Sequence, residues 1–244
     1  MSERTFEIHH SHRDVTGGWL RPAVFGASDG LVSNFALIAG VAGGTAAATA
    51  DGAAAGSTAV VIAGLAGLVA GAASMAAGEY VSVASQSELA LAEIELERHE
   101  LAHRPEAEQE ELAGTFERRG LSKELATEVA RELSRDPENA LEVHVREELG
   151  LDVHELPSPW TAGISSFLSF SVGALIPLLP YLLGAESMLP ALVLSLAALF
   201  GVGVLVSQVT VRSWFFSGTR QLLLGGIAAG ITYLVGSWVG AGVG

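Results

Sequence analysis

The middle of the chain places carboxylates at the spacing of helix faces. Three groups follow steps of three, four or seven residues: Glu93, Glu97 and Glu100; Glu108 and Glu111; and His144 and Glu148. Side chains three or four residues apart are neighbours on a helix, where like charges destabilise it. A divalent cation bound between such helices would neutralise that repulsion. The spacing therefore indicates a metal site, with merely solvated charged faces as the alternative that spacing alone leaves open.

A second set of potential ligands lies inside apolar stretches. Asp29 would lie roughly 10 Å inside the first of them at the rise of an α-helix. A carboxylate at that depth is costly in lipid and normally faces a polar cavity or a partner. Met75 and Glu79 fall near the same depth on the next stretch, and thioether and carboxylate both suit a transition metal. We expect an ion site at a pore mouth; alternatively, Met75 only packs and Glu79 is an interfacial charge.

Five apolar stretches are long enough to hold these residues in a membrane. Half of the 244 residues are hydrophobic, and the charges fall outside a few long apolar runs. Because about 20 apolar residues cross the hydrocarbon, we predict spans at 22–44, 57–79, 160–183, 188–210 and 221–243. The expected fold is an all-α integral membrane protein with five transmembrane helices in the lipid bilayer.

The basic residues predict the orientation of these spans. Alternating the five spans puts all 13 Lys and Arg residues on one side, and the loops at 45–56 and 184–187 contain none. The positive-inside rule makes that side cytoplasmic, with the C-terminus outside. The N-terminus and the acidic residues between the second and third spans would then be cytoplasmic. An excess of Arg over Lys with much Ala and Gly hints at a prokaryotic source, for which the host would be the cytoplasmic membrane.

Residues 80–158, called the acidic segment below, are expected to form a cytoplasmic helical metal-binding domain. They contain 20 of the 27 acidic residues. No Gly or Pro interrupts residues 80–104, which predicts a helix that continues the second span. Later helix starts and ends are expected at Pro105, Gly120, Ser122, Ser134, Asp136 and Gly150. The expected division is an N-terminal tail at 1–21, spans at 22–79, the acidic segment and spans at 159–244.

Charge and composition exclude several classes of function. A net charge of −14 argues against a nucleic-acid partner, whose phosphates it would repel. The chain has no cysteine, which excludes disulfides, thiolate metal sites and thiol catalysis. Any metal must therefore be held by oxygen, imidazole or thioether ligands.

Four separated motifs resemble the vacuolar iron transporter family. They are SDGLVSNF at 28–35, SMAAGEY at 74–80, EELGL at 147–151 and GALIPLLP at 173–180. They occur in the family's order on the five-span topology, and the resemblance runs from residue 20 to the C-terminus. It implies a transporter rather than an enzyme. The implied assembly is a homodimer with a pore at its interface, which moves Fe²⁺ out of the cytosol in exchange for protons.

The resemblance also implies roles for individual residues. Asp29 and Met75 match the family's translocation residues. Five glutamates match its cytoplasmic metal-binding helices: Glu97, Glu100, Glu108, Glu111 and Glu148. Familiar members carry a methionine-rich stretch before the last acidic motif, where this chain has Val143-His144-Val145-Arg146. His144 is therefore a candidate replacement ligand.

The implied mechanism joins metal binding to proton release. Fe²⁺ suits carboxylate, imidazole and thioether ligands, and binding it displaces protons from them. The acidic segment would capture the ion, and Asp29 and Met75 would pass it on. Proton return through the same carboxylates would complete an antiport cycle. Mn²⁺, Co²⁺ and Zn²⁺ fit the same ligands, so the sequence does not rank them.

Two other functions compete for part of the acidic segment. His99-Glu100-Leu101-Ala102-His103 matches the HExxH pattern of zinc proteases, in which two histidines bind Zn²⁺ and the glutamate activates water. Arg104 and Pro105 end that helix at once, however, and no third-ligand signature follows. Glu100-x-x-His103 also supplies one of the two Glu-x-x-His elements of a ferritin-like di-iron site. Without the second element, iron storage or sensing without flux is the alternative to transport.

Overall fold

The computed structural model describes residues 18–48, 53–208 and 212–243, and every regular element among them is helical. Residues 1–17, most of the expected N-terminal tail, lie outside the described part. Within these described ranges eight α-helices follow one another: α1 Leu20–Ala48, α2 Ala53–His103, α3 Pro105–Arg118, α4 Lys123–Leu133, α5 Pro137–His144, α6 Pro159–Leu182, α7 Met188–Ser207 and α8 Trp214–Val243. A π-helical turn, Val145–Leu149, follows α5 directly.

Five of these helices are long and apolar enough to cross a membrane. They are α1, α2, α6, α7 and α8, one for each of the five predicted spans. The helices α2 and α8 extend beyond the predicted bounds of 57–79 and 221–243, because α2 continues to His103 and α8 begins at Trp214. Large apolar side chains such as Val172, Leu205 and Trp238 are exposed on their outer faces. That arrangement suits helices surrounded by lipid rather than water.

Helix α1 packs against the other four apolar helices and is the centre of the bundle. Small residues let the backbones approach closely. Gly40 and Gly44 of α1 face Gly236 and Gly240 of α8 so closely that a Cβ atom on either α8 glycine would collide with an α1 carbonyl oxygen. Such glycine contacts are a common way to join helices in lipid.

Helix α2 extends far beyond the apolar bundle. Its 51 residues span about 75 Å at 1.5 Å per residue, whereas the hydrocarbon of a bilayer is about 30 Å thick. The predicted uninterrupted continuation of the second span over residues 80–104 is confirmed, and the helix ends one residue earlier, at His103. Pro105 ends it, because proline disfavours the helical conformation of the preceding residue; Arg104 has φ −137° and ψ 47°.

The remaining helices of the acidic segment begin where their capping residues predict. Pro105 occupies the first turn of α3. The Ser122 side chain accepts a hydrogen bond from the Leu125 amide at the start of α4, and Asp136 accepts one from the Glu138 amide before α5. Gly120, after α3, has a positive φ of 103°, a conformation that glycine adopts without strain.

The last helix of the acidic segment ends differently from the prediction. A single α-helix was expected to continue to Gly150, but α5 ends at His144 and a π-helical turn covers the next five residues. The amide of Gly150 donates to the Val145 carbonyl, and Gly150 has φ 67°. The wider turn inserts extra backbone next to His144 and Glu148, and such π turns are frequent at functional sites.

Candidate functional site

Three buried side chains from three helices converge inside the acidic segment. Glu97 of α2, Glu108 of α3 and His144 at the end of α5 each offer a ligand atom, and these atoms lie within 4.8 Å of one another. The three residues are 8%, 6% and 0% exposed. We call them the buried cluster. Two carboxylates and an imidazole at this separation have the chemistry and spacing of a divalent transition-metal site.

Local packing explains why these side chains point inward. Ile94 of α2 is buried against Leu141 and Val145, and Glu97 lies one helical turn beyond Ile94 on the same face of α2. His144 lies between Leu141 and Val145 in sequence and shares their burial. The turn at Pro105 folds α3 back beside α2 and brings Glu108, in its first turn, to the same interior.

The polar atoms of the buried cluster are incompletely paired. His144 Nδ1 lies 3.2 Å from Glu148 Oε1, within hydrogen-bonding geometry. It also lies 3.0 Å from Glu97 Oε1, but at an angle that does not make a hydrogen bond. Among the described residues, neither His144 Nε2 nor Glu97 Oε1 has a hydrogen-bond partner, although both are buried. Unpaired buried polar atoms cost folding energy of about 1–3 kcal/mol each. A bound cation would satisfy both atoms, so the residues present fit a metal.

Burial and mutual repulsion change the protonation of these groups. Burial first, then the charges of Glu148, Glu108, Glu100 and Glu111, raises the pKa of Glu97 to about 7. Burial also raises the pKa values of Glu108 and Glu148, and neighbouring glutamates add to both. Burial lowers the pKa of His144. Near neutral pH the imidazole is therefore neutral, as a metal ligand must be, and Glu97 readily exchanges a proton.

The other predicted glutamates surround the buried cluster without joining its core. Glu148 reaches His144 directly. Glu100 is partly exposed and Glu111 is exposed, yet the charges of both raise the pKa of Glu97. Glu93 is exposed and is outside the three-residue group. Helical spacing did not distinguish these glutamates from one another. In the structure some form a buried core and others an acidic rim around it.

A second candidate site lies in the apolar bundle. Asp29, Met75 and Glu79 line one cleft of about 450 Å³ between α1 and α2, so the three residues predicted to share a depth do share a cavity. Phe25, Gly78 and Ser82, which also line it, are exposed. In a single chain the cleft therefore opens onto the surface of the bundle.

Sequence reasoning missed three serine hydroxyl groups in this cleft, those of Ser33, Ser74 and Ser82. Ser33 lies one helical turn after Asp29, and Ser74 precedes Met75. The Ser33 hydroxyl donates to the Asp29 carbonyl oxygen at 2.6 Å, which leaves its own oxygen free to accept. Ser33 and Ser74 belong to the motifs at 28–35 and 74–80, so their places one turn after Asp29 and next to Met75 were the available signal. Ser82 lies outside those motifs.

Helix α2 carries residues of both sites. Met75 and Glu97 are 22 residues apart on one continuous helix, which corresponds to about 33 Å. The buried cluster and the cleft are thus separate sites at fixed positions along one rigid element.

The HExxH histidines do not join either site. His99 and His103 are exposed on α2, with ring centroids 4.0 Å apart. They lie on the face of α2 opposite Glu97, because two residues turn a helix by about 200°. Among the described residues, no group of three or more possible metal ligands includes this pair, so that part of the chain offers the motif no third ligand.

Comparison with known proteins agrees with the motifs. The family model described as "VIT family" matches residues 20–237. The vacuolar iron transporter of Acanthamoeba castellanii is 38% identical over 218 residues, which cover 89% of this chain and 74% of the relative. Vacuolar iron transporter 1 of Oryza sativa subsp. japonica is 31% identical, covering 92% of this chain and 87% of the relative.

The same protein of Arabidopsis thaliana is 31% identical, covering 95% of this chain and 90% of the relative. All three relatives are named as transporters, which agrees with the expectation that this chain is not an enzyme. The family match spans the five apolar helices and the whole acidic segment between them. The chain belongs to the VIT family.

Proposed function

We propose that the protein is a metal-ion transporter that moves Fe²⁺ out of the cytosol in exchange for protons. The observation that carries this proposal is the buried cluster, with its unpaired His144 Nε2 and Glu97 Oε1 atoms, on the same helix that lines the Asp29 cleft. The names of the relatives, vacuolar iron transporters, support iron as the substrate. Mn²⁺, Co²⁺ and Zn²⁺ are proposed as further ions, because the ligand set suits them too.

The first step is capture of the ion by the acidic segment. The rim glutamates Glu100 and Glu111 create a negative field that attracts cations. The buried cluster then supplies two carboxylates and a neutral imidazole, with Glu148 holding the imidazole through Nδ1. A histidine ligand that donates its second ring N–H to a carboxylate is held in orientation and becomes more basic. His144 Nε2 is the atom left to bind the metal.

The second step is passage through the bundle. Asp29 and Met75 line the cleft and offer a hard and a soft ligand, and Glu79 lies in the same cleft. A carboxylate in an apolar bundle is stabilised by a cation or by a proton, and each excludes the other. Asp29 would therefore carry Fe²⁺ in one direction and a proton in the other.

The topology proposed from the sequence assigns a side to each step. The positions of the Lys and Arg residues support a cytoplasmic acidic segment and N-terminus, with the C-terminus outside. The buried cluster would then face the compartment from which iron is removed. The host membrane is the cytoplasmic membrane if the source is prokaryotic.

A homodimer would close the cleft that a single chain leaves open. A regular row runs along α2 in alternating steps of four and three residues: Gly71, Met75, Gly78, Ser82, Ser85, Leu89, Ala92, Leu96, His99 and His103. We call it the α2 row. Its first four members line the cleft, and this heptad spacing is typical of side chains that meet between two packed helices.

The cytoplasmic part of the α2 row supports the homodimer independently of lipid. Leu89 and Leu96 are 63% and 52% exposed, and both lie beyond the apolar bundle in the acidic segment. Exposed leucines in register outside the membrane favour a protein interface. Copies in one membrane share an orientation, so two α2 helices would pair in parallel and place like residues opposite each other.

Proton coupling is tested by the dependence of flux on pH. Purified protein in proteoliposomes should take up Fe²⁺ faster, under anaerobic conditions, when the interior is more acidic than the bath. The membrane potential is clamped so that only the proton gradient differs. Fe²⁺ uptake that ignores the gradient would refute the exchange while leaving transport itself intact.

A second candidate function is iron binding without transport. The position of the buried cluster, about 33 Å along α2 from Met75, favours it, because capture there needs no path through the bundle. Fe²⁺ binding in detergent without Fe²⁺ accumulation in proteoliposomes would support storage or sensing instead.

A further inference from the structure

The α2 row ends in two histidines that neither proposed site uses. From Leu89 onward the row reads Leu, Ala, Leu, His, His at the same heptad steps. Its last two members, His99 and His103, stand where a purely apolar seam would continue with small or apolar side chains. They are exposed and face away from the buried cluster. Hydrophobic packing between leucines does not explain why histidines occupy the end of the row.

The geometry of the His99 and His103 rings suits metal binding. The two rings lie side by side, with centroids 4.0 Å apart and planes at 21°. His103 Nδ1 lies 2.8 Å from the His99 carbonyl oxygen. Because a carbonyl can only accept, Nδ1 carries the hydrogen and Nε2 keeps a lone pair. A backbone carbonyl on the second ring nitrogen is the usual way that metal-binding histidines are held.

We propose that His99 and His103 of two chains form a shared four-imidazole site for a late first-row cation such as Zn²⁺ at the membrane-distal end of the α2 row. The proposal rests on the homodimer proposed above. Parallel pairing of the α2 rows brings the two histidine pairs together across the two-fold axis. Four imidazoles complete a tetrahedral zinc shell without an open position, which is the form of structural zinc sites.

The consequence is a metal that joins subunits rather than one that is transported. Imidazole favours Zn²⁺, Cu²⁺ and Ni²⁺, whereas the oxygen-rich buried cluster also accepts Mn²⁺. Filling the histidine site would hold the two acidic segments together, because a closed site with ligands from both chains stabilises the assembled state. The occupied site lies on the opposite face of α2 from the buried cluster.

The test counts zinc bound to the full-length protein in detergent. Wild type is compared with His99→Ala/His103→Ala, and His154→Ala is the matched control, since His154 is exposed, pairs with Glu142 and is outside the α2 row. We expect the double variant to bind one Zn²⁺ fewer per two chains and to lose zinc-dependent resistance to dissociation on dilution. The control should match wild type. An unchanged zinc count, or a loss of one Zn²⁺ per chain, would overturn the shared site.

A cross-linking arm separates this proposal from the homodimer. The chain has no native cysteine, so Ala92→Cys places a single thiol on the α2 row and Ala102→Cys places one on an exposed position off it. A short bismaleimide should join chains of the first variant and not of the second. If neither is joined, the homodimer along this row fails and the shared site with it. If only Ala92→Cys is joined but the zinc count is unchanged, the homodimer stands and the histidine site alone is refuted.

Discussion

At the scale of single residues, the folded state disfavours the ionised form of the Glu97 carboxylate. Burial and four neighbouring glutamates raise its pKa to about 7. Its ordinary value is 4.5, so the folded protein binds this proton more tightly than the unfolded chain does. Stability that depends on such a group is present at low pH and is lost as the pH rises through the folded value.

The first prediction is the pH dependence of the metal-free protein. Wild type should lose stability as the pH rises from 4.5 to about 7, and the loss should level off above that pH. Glu97→Gln should flatten the dependence, because glutamine has no proton to release. Thermal unfolding as a function of pH measures it. Glu93→Gln, which removes an exposed carboxylate from the same helix, should behave as wild type; an equal effect from both variants would contradict the burial argument.

The second prediction concerns His144 as a ligand. His144→Ala should weaken Co²⁺ binding by at least about tenfold, since changes to partners of a ligand alone have effects of about 10–100-fold. Titration followed by the absorbance of bound Co²⁺ gives the affinity. His154→Ala is the control, because that imidazole is exposed and belongs to no buried group. Undiminished Co²⁺ affinity in His144→Ala would remove the imidazole from the site.

Only part of the site was predictable at this scale. The sequence places glutamates at helical spacing, but it does not say which of them are buried. Glu93 and Glu97 share a spacing pattern, and only Glu97 packs beside the apolar residues that α5 covers. That distinction depends on the packing of α5 against α2, a contact between residues more than 40 positions apart. His144 was suggested by its spacing from Glu148 and by its position where family members carry methionines, and its unpaired Nε2 was visible only in the fold.

At the scale of elements, helix boundaries followed local chemistry wherever the signal was local. The absence of Gly and Pro predicted the long α2, and Pro105, Ser122 and Asp136 marked the starts of three helices. The π-helical turn after α5 was not predicted, because no single residue requires it. Gly150 marked where that segment ends, but not the form of the turn before it.

The third prediction tests the role of Gly150 in holding that turn. Gly150 has φ 67° and open space around its Cα atom, so Gly150→Ala should introduce backbone strain and no collision. We expect a loss of about 1 kcal/mol in stability and weaker Co²⁺ binding, since the turn positions His144 and Glu148. Gly150→Asn should recover much of the loss, because asparagine tolerates the left-handed conformation. Equal damage from both variants would point away from backbone strain.

At the scale of the whole molecule, the proposed homodimer joins the two sites into one path. A single chain offers an open cleft with Asp29 and Met75, together with exposed leucines that continue the same α2 row beyond the membrane. One surface thus accounts for both features. The sequence predicted the five spans and the acidic segment from length and charge. The α2 row could be proposed as an interface only from the structure, which shows that its first four residues line the cleft.

The fourth prediction concerns this surface. Leu89→Glu/Leu96→Glu should shift the protein towards monomers, because it places like charges opposite each other across the parallel α2 rows. Size-exclusion chromatography with light scattering measures the mass. Leu91→Glu is the matched control, since Leu91 is exposed to a similar degree and lies off the row. A double variant that stays dimeric would exclude the cytoplasmic part of the α2 row from the interface.

The most direct test of the transporter proposal separates capture from passage. Fe²⁺ binding in detergent and Fe²⁺ uptake into proteoliposomes are measured for wild type and for Asp29→Asn, which keeps the size of the side chain and removes its charge. The proposal predicts that Asp29→Asn binds Fe²⁺ at the buried cluster as wild type does but loses uptake, because the cleft no longer receives the ion. Undiminished uptake in Asp29→Asn would contradict a path through the Asp29 cleft.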